Sequence, residues 1–434
     1  MNSLKHTKNT IPGPEDITRQ ILPNGIVLLS YENFNSSSVF VSGFLKTGSE
    51  RDPLEKLGLA YFTSLGLMRG TAHSDFQSLH DRLESAGASF GFGASVHTTS
   101  FSGRALAEDL PMLFATLAET LTEPSFPSEH VQRLRDQLLT GLAIRAQNTS
   151  EMAALAFDSL LFPQHPYGRP EDGEVETIHA ITRQDLVDFH QSTYGPAGMT
   201  IAVVGAVTAA QVYELAEKSL GNWTHPPVAN PAPMPPVASS DQTIWKQVVI
   251  PGKSQSDLVM GTLGPKRKDS AYLAASLGNS ILGQFGLMGR VGDSVREKAG
   301  LAYYASTSLN AWLENGSWVV SAGINPENVA RAVSLIIDEL RRFTSEPVSA
   351  EELSDNQSYY IGRLPLGLET NSGVANAILN LERFDLGLDY LQRYPGLIRS
   401  ITPEDVLEAA QKFIEPDKLI IAYAGPNRKG NQPA

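Results

Sequence analysis

Arg296 and Tyr303 stand seven positions apart in VREKAGLAYYA, and between them they offer two kinds of hydrogen-bond donor to an oxygen-bearing ligand. A guanidinium presents a planar fork of N–H groups to a carbonyl or carboxylate. A phenol presents one O–H that can steady an oxyanion as its charge develops. Two ordinary roles compete with this chemistry. A cation in the last turn of a helix answers the helix dipole, and a tyrosine is at home on a strand.

The elements around the pair decide whether the two side chains can meet. Gly300 lies between them, and a glycine just past a helix suits the left-handed backbone of a helix terminus. The spacing predicts a helix ending near Lys298, a sharp turn, and a strand from Ala302 to Leu309, so that Arg296 and Tyr303 come round to the same side. Just upstream, Gly283, Gly286, Gly289 and Gly292 recur every third residue. Neither G-x-x-x-x-G-K-[ST] nor G-x-G-x-x-G occurs, which removes a phosphate-cradling role. A close-packed helix start accounts for these glycines nearly as well as a flexible loop does.

Metal chemistry finds little support. All 9 histidines lie at or before His225, with no H-x-x-x-H or H-E-x-x-H among them, and the chain has 0 cysteines, so thiolate ligands and disulfides are both excluded. Glu176 and His179 are three apart but precede a helix start, where an exposed pair in a polar turn is expected. No bound zinc is predicted. The segment Gly58 to Thr71, GLAYFTSLGLMRGT, reads on its own as an amphipathic helix burying Leu59, Phe62 and Leu65.

Organisation is set by an internal repeat. Ile181 to Val204 aligns without a gap to Ile401 to Ala424. Each copy opens on Thr-x-x-Asp (Thr182 and Asp185; Thr402 and Asp405) as a capped helix start. An amphipathic helix comes next, then a Pro-containing turn and an apolar strand ending in Gly205 or Gly425. The helix pair around Leu110 to Leu142 is echoed around Val329 to Leu364, where Ser349 and Glu352 form a capping-box pattern. Two similar domains are expected, 1–224 and 242–434, joined by a Pro-rich linker over 225–241 whose composition favours an extended spacer.

Composition sets mild bounds. A charged fraction of 19% and an apolar fraction of 41% are those of a soluble globular chain. A net charge of −13 argues against nucleic acid and anionic membranes as partners. The start, MNSLKHTKNTIPGPED, has no apolar core of a secretory signal, and no run of about 18 apolar residues spans a membrane. The cytoplasm is the expected location, and a cysteine-free chain would suit the periplasm as well.

The same Gly58 to Thr71 segment resembles the zinc helix of the pitrilysin/insulinase metallopeptidases, which reads roughly GLAHFLEHMLFKGT and carries the inverted motif H-x-x-E-H. The two ligand histidines fall on Tyr61 and Leu65, and the general-base Glu on Ser64. The family's third ligand, a Glu in a pattern like RERxxVxxEI, falls on Gly141 of RLRDQLLTGL. Two imidazoles at i and i+4 share a helix face and could grip one zinc ion, whereas a phenol and a leucine cannot. The HPYGRP turn at His165 to Pro170 and the strand region Gly87 to Ser95 also resemble the family, with His165 expected to be structural.

The resemblance covers nearly the whole chain. It implies an α+β fold of two similar domains, each a mixed or largely antiparallel sheet covered by helices. Arg296 and Tyr303 match the family's Arg/Tyr pair, in a setting like LRExLGLAY. By the resemblance, Tyr303 would face a scissile carbonyl and Arg296 would hold substrate backbone. Gly283, Gly286 and Gly289 would belong to a loop like that of the non-catalytic subunit of mitochondrial processing peptidase. The resemblance thus implies a zinc-lacking subunit of a heterodimeric metallopeptidase. Its homologous partner would carry H-x-x-E-H and the zinc, and its substrates would be peptides. The alternative is an inert structural homologue like the core subunits of the cytochrome bc1 complex.

Overall fold

The computed structural model describes residues 11–224 and 233–427. Each half of the chain builds one sheet. In the first, β1 (Ile17–Ile21), β2 (Val27–Glu32), β3 (Ser38–Leu45), β4 (Ser89–Ala94), β5 (Thr99–Leu106) and β6 (Thr200–Gly205) lie in the order β1-β2-β6-β3-β5-β4. In the second, β7 (Ile244–Val249), β8 (Ser256–Gly264), β9 (Ala302–Ala311), β10 (Gly316–Ile324) and β11 (Ile420–Gly425) lie in the order β7-β11-β8-β10-β9.

The two sheets share one plan. β6 pairs parallel with β2 and antiparallel with β3, and β11 does the same with β7 and β8. The remaining pairs are antiparallel. Strands flanked on both sides read as continuous apolar runs, and TIAVVG of β6 and IIAYAG of β11 are such runs, buried at nearly every position. These are the strands of the sequence repeat. The helices before them, Arg183–Thr193 and Pro403–Phe413, start on capping boxes made by Thr182 with Asp185 and Thr402 with Asp405. The fold is therefore α+β with two similar sheet-and-helix domains.

Sheets and compact units divide the chain differently. The expected halves, 1–224 and 242–434, each carry one whole sheet. The first compact unit, however, takes in residues 362–395 from the second half, and the second takes in 140–169 from the first. In the first unit, helix Asn371–Arg383 lays Val374, Ile378 and Leu379 against Leu29, Phe44, Ala202 and Val204 of the sheet. In the second, helix Thr149–Leu161 packs on β8 and β11 with Ala153, Ala156 and Phe157 buried. An amphipathic stripe requires burial against some apolar face but does not name the face.

Of the expected linker, residues 225–232 lie outside the described residues, and 233–240 form no helix or strand. No helix among the described residues is long and apolar enough to cross a membrane.

Candidate functional site

The outer edge of the second sheet is β9, which carries Tyr303. A single turn of π-helix, Asp293–Lys298, leads into it and holds Arg296. Gly300, at φ +63°, ends that turn. Its N–H donates to the Arg296 carbonyl at 3.1 Å, and the Leu301 N–H to the Val295 carbonyl at 3.0 Å. This left-handed terminus sends the chain back along the sheet, and the turn bearing Arg296 packs against β9.

Tyr303 is the extra residue of a β-bulge. Along the β9–β10 ladder Gly323 faces Tyr304, but Ile324 faces Ala302, which leaves Tyr303 without a cross-strand partner. A bulge bends its strand and re-aims the side chain it carries. Tyr303 is accordingly 82% exposed although it sits within a strand. Arg296 is about one-third exposed, and its Nε lies 3.6 Å from Glu297 Oε1, an exposed contact of little energetic weight. Both donor groups thus face solvent on adjoining elements.

The neighbouring residue fixes the bulge. Tyr304 packs over Gly323, where a Cβ would come within 2.6 Å of the ring. Its hydroxyl donates to Asp257 Oδ1 at 2.9 Å. Asp257, nearly fully buried on β8, also accepts from Gln255 Nε2 at 3.0 Å and from the Thr149 hydroxyl at the start of helix Thr149–Leu161. Burial, with the Asp257 charge adding to it, pushes the Tyr304 phenol up to about 12, so it remains a donor at neutral pH. Anchoring Tyr304 inward holds Tyr303 outward.

The glycine segment closes the open edge of β9. Gly283 ends helix Tyr272–Gly283 so close to Thr307 that a Cβ would lie 2.5 Å from its backbone nitrogen. Gln284 Nε2 then donates to the Thr307 carbonyl at 3.1 Å, and the Ala305 N–H donates to Met288 Sδ at 3.3 Å. Side chains thereby satisfy edge groups that a strand would otherwise pair. Gly286 and Gly289 lie in helix Phe285–Gly292 and not in the expected loop; at φ +64° and +62° they take left-handed backbone there, and Met288 shares it at φ +76°. Gly289 also has no room for a side chain, since its Cβ would lie 2.6 Å from the Gly283 nitrogen.

Arg290 ties the same segment to a distant helix. Its Nε and Nη2 reach the two carboxylate oxygens of Glu352 at 2.8 and 2.7 Å, and the guanidinium lies 5.7 Å from the Phe343 ring centre. Glu352 also completes the capping box with Ser349 at the start of helix Ala350–Gly367. The Arg290 fork holds the Glu352 carboxyl at about 2, below its ordinary value of 4.5. A depressed carboxyl contributes stability that is present above the unfolded value and lost as pH falls through the folded one. Glu352→Gln keeps a capping side chain, so it is expected to lower the urea midpoint at pH 7 and to converge with the native chain near pH 2. Parallel midpoints at all pH values would show that the ion pair contributes nothing.

In the first half, the positions matching the zinc motif hold no ligand. Tyr61 and Leu65 are half-buried in helix Leu59–Gly66, and Ser64 is fully buried with its hydroxyl donating to the Tyr61 carbonyl at 2.7 Å. Gly141 is exposed on helix Ser128–Arg145, with open space where a side chain would project. A phenol, a hydroxyl committed to its own helix, a leucine and a glycine cannot coordinate zinc. Among the described residues no group of three or more His, Asp or Glu is placed to hold a metal ion.

His165 is buried and structural: it accepts the Tyr167 N–H at 3.1 Å and packs among the Phe162 and Tyr167 rings. Glu176 and His179 are exposed as expected but lie in a short helix, Val175–Ala180, and not in a turn. The Glu174 N–H donating to Thr177 Oγ1 at 2.9 Å begins that helix earlier than the sequence suggested. Sequence reasoning missed Asp257, Tyr304 and Arg290. The capping box at Ser349 pointed to Glu352, but nothing local pointed to its partner 62 residues away.

Relatives of the chain are recognisable in both of its halves. Residues 27–170 match the family model described as Insulinase (Peptidase family M16), and residues 180–359 match that described as Peptidase M16 inactive domain. An uncharacterized zinc protease of Streptomyces coelicolor is 24% identical over 423 residues, 95% of this chain and 91% of the relative. The mitochondrial-processing peptidase subunit beta of Saccharomyces cerevisiae is 22% identical over 417 residues, 92% of this chain and 87% of the relative. Among solved structures, a peptidase M16 inactive domain from Pseudomonas fluorescens superposes with a TM-score of 0.88 at 26% identity, covering 96% of this chain and 100% of that one. A Helicobacter pylori protease at 19% identity shares the fold with a TM-score of 0.87, covering 94% and 99%.

Proposed function

The chain belongs to the insulinase family of peptidases, family M16, and from that premise we propose that it is the zinc-lacking subunit of a two-subunit metallopeptidase. The single observation that carries this reading is the contrast between its two halves. The motif positions at 61, 64, 65 and 141 hold no ligand or base, while Tyr303 stands on a bulge beside the turn that bears Arg296. The match of residues 180–359 to an inactive-domain model, and the similarity to a protein named as one subunit of a processing peptidase, support a division of labour between chains.

In this proposal a homologous partner supplies H-x-x-E-H, its zinc and the activated water, and peptides are the substrate. This chain needs no cofactor of its own. Tyr303 donates its phenolic proton in a hydrogen bond to the carbonyl oxygen of the cleaved bond, a contact that strengthens as that oxygen becomes anionic. Arg296 binds a neighbouring peptide carbonyl, which orients the chain and leaves the phenol free for the reacting group. Neither residue needs to exchange a proton with the substrate.

The test is to purify the chain alone and together with an H-x-x-E-H partner, then measure bound zinc and cleavage of short quenched-fluorescent peptides. Zinc and cleavage are expected only in the pair. Stoichiometric zinc or peptide cleavage in the isolated chain would overturn the reading. Stable association without cleavage would assign the chain a purely structural role.

A further inference from the structure

Met288 occupies a position that suits glycine better. It lies in helix Phe285–Gly292 at φ +76°, a backbone conformation costly for a residue with a Cβ, and Gly286 and Gly289 take the same conformation nearby. What the methionine adds is an acceptor, because its Sδ receives the Ala305 N–H at 3.3 Å. Ala305 is fully buried on β9, the outer strand of its sheet, so an N–H turned away from the ladder needs a side chain to meet it. Two residues further along the strand, Gln284 Nε2 donates to the Thr307 carbonyl at 3.1 Å. The segment is thus fastened to β9 by one amide and one thioether.

The thioether is the chemically vulnerable fastening of the two. With 0 cysteines in the chain, its 8 methionines hold all of its sulfur, and no thiol of its own competes for a peroxide. Met68, Met199 and Met260 are buried, whereas Met288 is only half-buried. Its sulfur lone pair can attack one oxygen of hydrogen peroxide, the O–O bond breaks, and methionine sulfoxide and water are formed. Sulfur is oxidised by two electrons and the peroxide is reduced by two. The sulfoxide cannot keep the Ala305 contact as it stands, since a separation of 3.3 Å leaves no room for an oxygen between nitrogen and sulfur. Oxidation also makes an apolar side chain polar. The side chain must withdraw, and the Ala305 N–H loses its acceptor.

We propose that Met288 is an oxidation site, and that its conversion to the sulfoxide by a peroxide unfastens the glycine segment from β9 beside Ala305. Gln284 carries no oxidisable group and keeps its bond to Thr307, so the release is confined to the part of the edge nearer Tyr303. An enzyme that reduces methionine sulfoxide returns the thioether and closes the edge again. Any effect on peptide cleavage through Tyr303 rests on the peptidase-subunit reading; the oxidation and the opening of the edge do not.

The test uses the chain alone, without partner or zinc, and so succeeds or fails independently of the peptidase reading. The chain is treated with dilute hydrogen peroxide, and peptide mapping by mass spectrometry compares Met288 with Met112, Met152 and Met234, which are also half-buried. Hydrogen exchange is then followed at the Ala305 amide. Oxidation of Met288 is expected to speed that exchange about tenfold, the change in a local opening equilibrium that follows from losing one hydrogen bond. Methionine sulfoxide reductase is expected to restore the slow exchange. In Met288→Leu, checked for folding by circular dichroism, exchange at Ala305 is expected to be the same with and without peroxide. Three results would overturn the proposal: Met288 staying reduced while the other three oxidise, unchanged Ala305 exchange once Met288 is oxidised, or a peroxide effect that persists in Met288→Leu. The first two are read on the native chain and need no variant.

Discussion

The Tyr303→Phe variant, assembled with a zinc-binding partner, is expected to cleave short peptides about 10² to 10³ times more slowly than the native pair. The magnitude is that of losing one positioned donor to a developing oxyanion. It is large because the donor's position is set before reaction. Here the setting is visible in the backbone: a left-handed turn at Gly300, a bulge that leaves Tyr303 unpaired, and Tyr304 drawn inward to Asp257. Removing a hydroxyl from a side chain 82% exposed takes nothing from the core, so folding and assembly are expected to be unchanged. The loss is expected in kcat, with KM nearly constant, because the contact strengthens in the transition state. Steady-state kinetics together with size-exclusion chromatography of the pair check both parts. An unchanged rate removes Tyr303 from the mechanism, and a loss of assembly reassigns it to an interface.

The second large effect is on stability. Asp257→Ala is expected to destabilise the chain by about 3 kcal/mol, since hydrogen bonds to a charged group are worth roughly 1.5 to 3 kcal/mol and three partly buried donors would lose their common acceptor. Tyr304, Thr149 and Gln255 all lose their acceptor at once. The corresponding fall in melting temperature is roughly 6 to 12 °C for a domain of this size. Asp257→Asn keeps one acceptor oxygen and is expected to cost less. The phenol of Tyr304 provides an independent reading. Its raised value means that stability is fully present below the unfolded value of about 10 and is lost as pH rises toward 12. In Asp257→Ala the part of that rise due to the Asp257 charge disappears, so the Tyr304 titration seen by ultraviolet absorbance moves down, while burial keeps it above its ordinary value. A melting temperature within about 1 to 2 °C of the native one would show that the network is dispensable.

These two residues illustrate how unevenly the site could be read. Tyr303 was accessible because glycine and helix-terminus chemistry are local: Gly300 implies the turn, and the turn implies that Arg296 and Tyr303 lie on adjoining elements. The bulge was not accessible. It is a property of the β9–β10 register, which depends on Gly323 and Ile324 some twenty residues further along. Asp257 stayed hidden for the same reason, since Thr149 and Tyr304 reach it from opposite directions across more than forty residues. The glycine repeat lay between these extremes. Its positions were plain, but only the strand it presses against shows that Gly283 is required for close approach and that Gly286 and Gly289 are required for left-handed backbone.

The fold divides along the same line. Capping boxes, amphipathic periods and apolar strand runs are set by interactions within a few residues, so Thr182, Thr402 and the paired strands β6 and β11 were legible as a duplication. The vacancy at Tyr61, Ser64, Leu65 and Gly141 was equally plain, because ligand chemistry belongs to residue type. Tertiary structure alone decided which sheet each helix covers. Helices Thr149–Leu161 and Asn371–Arg383 carry ordinary apolar stripes, and each stripe is satisfied by the sheet of the other half of the chain. Hydrophobic burial is non-directional, so a sequence can require that a face be covered without specifying what covers it.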